Sequence, residues 1–153
     1  MMLDIPLVVE ELFPAQTRTA SAEINGIFTQ VMSVSFADKI MVTISQGGRL
    51  AHWVHVPLDT SDPNPSNLQP YGDEDESDAT LLPMAHLTAT TVLGGTIPER
   101  NTIGQLYATQ IASALSTKNP EERRMVVVGL GLEMVDPDRE SFMGMIELVL
   151  QCL

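Results

Sequence analysis

Apolar and polar positions alternate along the first half of the chain, and this period-two pattern predicts a series of β-strands. The predicted strands span residues 17–24, 27–36, 40–46, 49–56 and 85–93. Tight turns separate the first four at Asn25-Gly26, at the Ala37-Asp38-Lys39 segment and at Gly47-Gly48. Because such short connections join antiparallel neighbours, the pattern predicts a meander of hairpins.

Helical spacing replaces alternation in the second half of the chain. In "ERNTIGQLYATQIASALS" the apolar residues recur every three or four positions, with Asn101 or Thr102 as the expected N-cap. The apolar run 125–132 predicts the last strand, and a helix over 137–150 follows, capped by Asp136. The predicted fold class is therefore α+β: an antiparallel meander of about six strands with two amphipathic helices on one face.

The two faces of the predicted sheet differ in composition. The pattern predicts a helix-facing side made of Phe28, Met32, Val34, Phe36, Ile40, Val42 and Ile44. The opposite side would carry Thr29, Val31, Ser33, Ser35, Met41, Thr43 and Ser45. From residue 24 to residue 58 the only charges are Asp38, Lys39 and Arg49, all at predicted turns. A neutral sheet face of this kind suits contact with another protein, and cover by a loop or by the N-terminal segment is the alternative.

The length of 153 residues predicts a single domain, residues 1–153. The composition indicates its cellular compartment and the kinds of partner it can have. One cysteine, no predicted signal peptide and no long apolar run favour a protein of the cytosol or nucleus without a membrane span. The net charge is −12, but residues 59–79 hold seven acidic and no basic side chains. This stretch predicts a mobile acidic loop at about 59–80. The remainder carries about −5 and no basic stripe, which argues against a nucleic-acid partner.

The stretch "RMVVVGLGLEMVDPD" has the outline of a phosphate-binding turn between a strand and a helix. A dinucleotide fingerprint needs a third glycine five residues after Gly129, and that position is Met134. Glu133 and Asp136 stand where a pyrophosphate would rest, and no basic residue lies in the turn. The interpretation is structural: Gly129 and Gly131 allow a bulge or a close backbone approach in a buried strand.

The sequence holds no convincing set of catalytic or metal-binding residues. His52 and His55 are an odd number of residues apart on one predicted strand and project to opposite faces, while His86 lies on another strand. Cys152 lies in the last helical turn without a predicted base nearby. The prediction is a protein without catalytic residues, cofactor or metal. A cavity holding two of the three histidines with a carboxylate would instead favour an enzyme.

The order of these elements resembles the proteasome assembly chaperone 3 family. The resemblance begins in "INGIFTQVMSVSFADKIMVTISQGGRLAHWVHV", with its turn glycine Gly26, the Thr29-Gln30-Val31 triplet and Phe36. It continues through Ile40, Val42, Ile44, Gln46 and Gly48, and through "IPLVV", "TATTVLGG", "LYATQIASAL", "RMVVVGLGLE" and "MIELVLQCL". It covers almost the whole chain, except for the insertion around residues 59–80, which is longer and more acidic than the family leads us to expect.

This resemblance implies a non-enzymatic chaperone that pairs with a sister similar to proteasome assembly chaperone 4 and binds alpha-type subunits of the proteasome core particle. The isolated protein could also form a homodimer. On the neutral face, the predicted contacts with a partner are Thr29, Val31, Met41, Thr43, Ser45 and Trp53. The alternative function is a dimeric scaffold module of a trafficking or signalling complex.

Overall fold

The computed structural model describes residues 15–58, 87–133 and 138–153. The predicted acidic loop at 59–80 and His86 lie outside these residues. The described chain forms six strands and two helices: β1 (Gln16–Ile24), β2 (Ile27–Ser35), β3 (Lys39–Gln46), β4 (His52–Val56), β5 (Thr90–Leu93), α1 (Pro98–Lys118), β6 (Met125–Gly131) and α2 (Arg139–Leu150). The predicted α+β class is confirmed.

The strands form one mixed sheet in the order β1-β2-β3-β6-β4-β5. The predicted meander holds for β1, β2 and β3, whereas β6 is inserted between β3 and β4 and runs parallel to β3. The predicted all-antiparallel meander is therefore wrong in its second half. The physical reason is that β6 is an almost continuous apolar run, "MVVVGLG", which is typical of a strand in the interior of a sheet.

Arg124, which precedes β6, forms hydrogen bonds with the end of β2 and with the turn that follows it. Its guanidinium donates to the Ser35 hydroxyl at 2.6 Å and to the Phe36 carbonyl at 2.9 Å. The same guanidinium makes two hydrogen bonds of 2.8 Å to the Glu122 carboxylate. These bonds hold the Glu122 carboxyl in its charged form, so its pKa falls to about 2. The ion pair thus ties the inserted strand to the first hairpins.

The turn between β2 and β3 is one residue shorter than predicted, and this reverses the faces of β2. The Phe36 amide donates to the Lys39 carbonyl at 2.9 Å, so Ala37 and Asp38 alone form the turn. Val31 then lies opposite Ile44 in the ladder. Because side chains alternate with a period of two, a shift of one residue moves a whole strand's side chains to the other face.

Both helices pack on the face that carries the even-numbered residues of β3. Three fully buried valines lie side by side at the centre of this face, one each from β3, β6 and β4: Val42, Val128 and Val54. The Tyr107 ring of α1 lies 4.6 Å from the Phe142 ring of α2, and its hydroxyl donates to the Met145 sulfur. The two-helix layer on one face is as predicted, and Leu106 and Leu150 of the two helices are exposed.

The helix boundaries also differ from the prediction by a few residues. Helix α1 begins at Pro98 with Ile97 at the N-cap position, earlier than the predicted Asn101 or Thr102, because proline suits the first helical turn. Helix α2 is capped by Asp138, whose carboxylate accepts a 2.8 Å hydrogen bond from the Ser141 amide and whose pKa is lowered by that bond. The predicted cap, Asp136, lies outside the described residues.

Candidate protein-interaction surface

The face of the sheet opposite the two helices, here called the outer sheet face, is nearly free of charge. The ladder registers place eighteen uncharged residues on it: Thr17, Thr19, Ser21, Phe28, Gln30, Met32, Val34, Met41, Thr43, Ser45, Met125, Val127, Gly129, Gly131, Trp53, His55, Thr90 and Leu93. The charged members are Glu23 on the edge strand β1 and Lys39 at one end of β3. Both charged residues therefore lie at the edge of this face, and its centre is uncharged.

Several apolar side chains of the outer sheet face are open to solvent in the described part of the chain. Phe28 is 59% exposed and Leu93 is 64% exposed, while Met32, Met41 and Val127 are half-buried. A sheet face directed only at water would carry alternating charged residues, which this face lacks. Exposed apolar groups in a contiguous, charge-poor setting are typical of a surface that contacts another protein.

Trp53 lies flat on the sheet at the centre of the outer sheet face because Gly129 beneath it has no side chain. A Cβ atom on Gly129 would be 2.7 Å from Cζ3 of the indole ring. Gly131 has a different reason for being glycine, since the carbonyl of Arg49 occupies the space of its missing side chain. The predicted close backbone approach is confirmed at Gly131, whereas at Gly129 the close neighbour is the Trp53 side chain.

The structure separates the six predicted contact residues into two groups. Met41, Thr43, Ser45 and Trp53 lie on the outer sheet face, as predicted, and their role in contacting a partner stays a prediction.

Thr29 and Val31 do not lie on that face; both are fully buried beneath the helices. The Gln46 side-chain amide donates to the Thr29 hydroxyl at 3.0 Å inside this core. Their assignment was wrong because the turn before β3 is shorter than predicted, which reverses β2. Phe28, Met32 and Val34 take their places on the outer sheet face. The alternation in the β2 sequence shows which residues share a face, but only the length of the turn decides which of the two sets faces outward.

His52 and His55 project to opposite faces of the sheet, as predicted, so they do not meet. His52 lines a cavity of about 540 Å³ on the helix side, together with Glu133. Burial lowers the pKa of His52, and its Nε2 lies 3.1 Å from the Thr91 hydroxyl. Within residues 15–58, 87–133 and 138–153, no three histidine, cysteine or carboxylate side chains are grouped to hold a metal ion. Of the described residues, this cavity therefore brings together one histidine and one carboxylate.

Comparison with known proteins gives one informative result. No protein-family model matches the sequence, and no curated protein sequence matches it. Among solved structures, the chain is similar to a chain described as part of a novel chaperone complex for yeast 20S proteasome assembly, with a TM-score of 0.57 and 13% sequence identity. The superposition covers 89% of this chain and 97% of that chain. At this identity the likeness establishes a shared fold.

Neither helix of the described part of the chain is long and apolar enough to cross a bilayer.

Proposed function

We propose that this chain is a non-catalytic assembly chaperone of the proteasome core particle, of the proteasome assembly chaperone 3 type. In this proposal it acts in the cytoplasm or nucleus, pairs through its outer sheet face with a sister chain of the same fold, similar to proteasome assembly chaperone 4, and binds alpha-type core subunits. The fold likeness to a chain of a proteasome assembly chaperone complex supports the class. The observation that carries the pairing is the apolar, charge-poor outer sheet face.

The outer sheet face supplies roughly two thirds of the area that a standard interface buries on each partner. Six strands at about 4.8 Å spacing, each about 20 Å long, give a flat area of roughly 500–600 Å², to which projecting side chains add further surface. A standard protein–protein interface buries about 800 Å² per partner. Two sheets that pack face to face, about 10 Å apart, would cover this area with interdigitated side chains.

The chemistry of the face favours a second sheet as its occupant over a charged peptide or nucleic acid. Its centre carries Met32, Met41, Val127 and Trp53, and a basic or acidic ligand would find no opposite charge among them. Tryptophan, phenylalanine and methionine are enriched at the cores of protein interfaces, whereas charged residues are depleted. The half-buried Trp53, held on Gly129, is the expected anchor of the pair.

The proposal is tested by placing a charge on the outer sheet face. In Phe28→Glu, a carboxylate replaces an aromatic ring that is already 59% exposed, so the domain should fold and pairing should be lost. The matched control is Leu106→Glu, since Leu106 is an apolar residue of helix α1 that is 42% exposed on the other side of the sheet. Light scattering after gel filtration measures the mass of each variant. Pairing retained in Phe28→Glu would contradict the assigned surface.

The partners are tested by affinity purification of the tagged chain from its own cells, with copurifying chains identified by mass. A chaperone-like sister together with alpha-type subunits, without mature proteasome activity, is the expected result, and Phe28→Glu should lose the sister. Recovery of unrelated partners would instead favour the alternative of a dimeric scaffold module. Pairing through the outer sheet face would then still hold, because both functions use the same surface.

A further inference from the structure

The cavity on the helix side lies at the opposite surface of the sheet from the proposed pairing face. It is enclosed by the ends of β3, β4 and β6, by the glycine loop after β5 and by the first turns of α1. Its volume of about 540 Å³ is within the range of small-molecule sites. Gly95 brings the loop close to His52, since a Cβ atom there would be 2.9 Å from Nε2 of that ring. The glycine loop thus closes one wall of the cavity.

Arg100 lines this cavity, and one of its hydrogen-bond donors has no partner in the described part of the chain. Its Nη1 donates to the Leu132 carbonyl at 3.3 Å, whereas its Nε is buried and has no hydrogen-bond partner in the described part of the chain. A guanidinium stays charged at every accessible pH, and a buried donor without an acceptor is costly. Because the Nε has almost no accessible area, an acceptor bound in the cavity would meet this guanidinium charge through the Nη groups.

The charged groups around the cavity leave an excess of positive charge. Arg49 lines the same cavity as Arg100, and neither makes an ion pair within 4.0 Å with a described residue. Glu133 is the acidic member, and its carboxylate lies beside Gly47, 3.1 Å from the position a Cβ would take there. Burial lowers the pKa of His52, which favours its neutral form. A locally basic cavity is unexpected in a chain with a net charge of −12.

The remaining walls of the cavity are apolar. Ile97, Ile103, Leu130 and Leu132 line it. We propose that this cavity binds a small amphipathic carboxylate, with its head on the Arg100 guanidinium and its hydrocarbon body against these four side chains. A carboxylate matches the guanidinium because its two oxygens can accept from two N–H groups together. The site is separate from the outer sheet face and does not depend on the proposed chaperone function.

The test is an NMR titration of the full ¹⁵N-labelled chain with sodium octanoate and, in parallel, with 1-octanol, which has the same hydrocarbon chain without the charge. Octanoate should shift the amides of Gly94, Gly95 and Gly104 and should bind at least about tenfold more tightly than octanol. Arg100→Gln should weaken octanoate about tenfold and leave octanol unchanged. The matched control is Arg123→Gln, which removes the same charge from an exposed position that does not line the cavity.

Three results would overturn the proposal: equal binding of octanoate and octanol, an Arg100→Gln affinity equal to that of Arg123→Gln, or octanoate shifts centred on Trp53 and the outer sheet face. If Arg100→Gln does not fold, Arg49→Gln at its exposed position takes its place, with an expected loss of about threefold. Phe28→Glu should bind octanoate normally, so failure of the pairing proposal and failure of this site are distinguishable.

Discussion

The contact between Trp53 and Gly129 gives a prediction whose magnitude follows from the structure. In Gly129→Ala the added methyl group would be 2.7 Å, 2.8 Å and 3.0 Å from three carbon atoms of the indole ring. Ordinary carbon–carbon contact needs about 3.5–4.0 Å, so the ring must move by roughly 1 Å. The ring is half-buried and its outer side is open in the described structure, so it can move without displacing the backbone.

Two opposing terms set the expected change in the free energy of unfolding. Overpacking of this kind costs about 1–3 kcal/mol. Alanine in place of glycine in a strand interior recovers about 0.5–1 kcal/mol. The net expectation is a loss of about 1 kcal/mol, or about 3 °C in melting temperature for a domain of this size. Gly131→Ala should be far more damaging, because its added methyl group would meet the backbone carbonyl of Arg49.

The assay is urea denaturation of four proteins: the parent, Gly129→Ala, Trp53→Ala and the double variant. Trp53 is the single tryptophan of the chain, so its fluorescence reports the ring's movement directly, and circular dichroism follows unfolding in all four. Without the ring, Gly129→Ala should change from a loss of about 1 kcal/mol to a gain of about 0.5–1 kcal/mol. Equal effects of Gly129→Ala in both backgrounds would refute the stacked geometry.

Three further outcomes are expected. Val42→Glu should unfold the domain because it buries an unpaired charge, whereas Met41→Glu, at a half-buried position of the outer sheet face, should keep its helix content and lose pairing. Circular dichroism and gel filtration separate these results, and unfolding of Met41→Glu would show that its face is internal. Glu122→Gln should cost about 1–2 kcal/mol at neutral pH. Arg124 lowers the Glu122 pKa from 4.5 to about 2, so this contribution to stability is complete above pH 4.5 and disappears as the pH falls towards 2. Urea denaturation at several pH values should therefore show the unfolding free energies of the parent and Glu122→Gln converging over that window. A difference that does not change with pH would contradict the role of the ion pair. Cys152 is buried and its thiol pKa is raised by burial, so a thiol reagent should react at least about a hundredfold faster in urea than in the native state, and equal rates would contradict this placement.

Local patterns in the sequence predicted most of the elements correctly. The alternation before and after Asn25-Gly26 identified the first hairpin, and Asn25 and Gly26 do adopt the positive φ angles that such a turn requires. The interpretation of Gly129 and Gly131 also came from the sequence, since Met134 and Glu133 stand where a phosphate site would need other groups. These inferences succeed because each depends on residues that are close together in the chain.

Pairings between distant segments could not be obtained in this way. Strand β6 is separated from β3 by some eighty residues, and its parallel pairing with β3 depends on burial on both faces and on the Arg124 contacts to the β2–β3 turn. The cavity around Arg100 is formed by the ends of three strands, a loop and a helix, so no local motif indicates it.

The sequence alone determined that this protein has an α+β fold with a two-helix layer and a sheet face almost without charge. Only the tertiary structure decided which residues make up that face, because the Ala37-Asp38 turn is one residue shorter than the pattern suggested. Thr29 and Val31 consequently entered the core, and Phe28 and Met32 became candidates for contact with a partner. The physical reason is the two-residue period of a β-strand: alternation defines two sets of side chains, and the register with the neighbouring strand decides which set is buried.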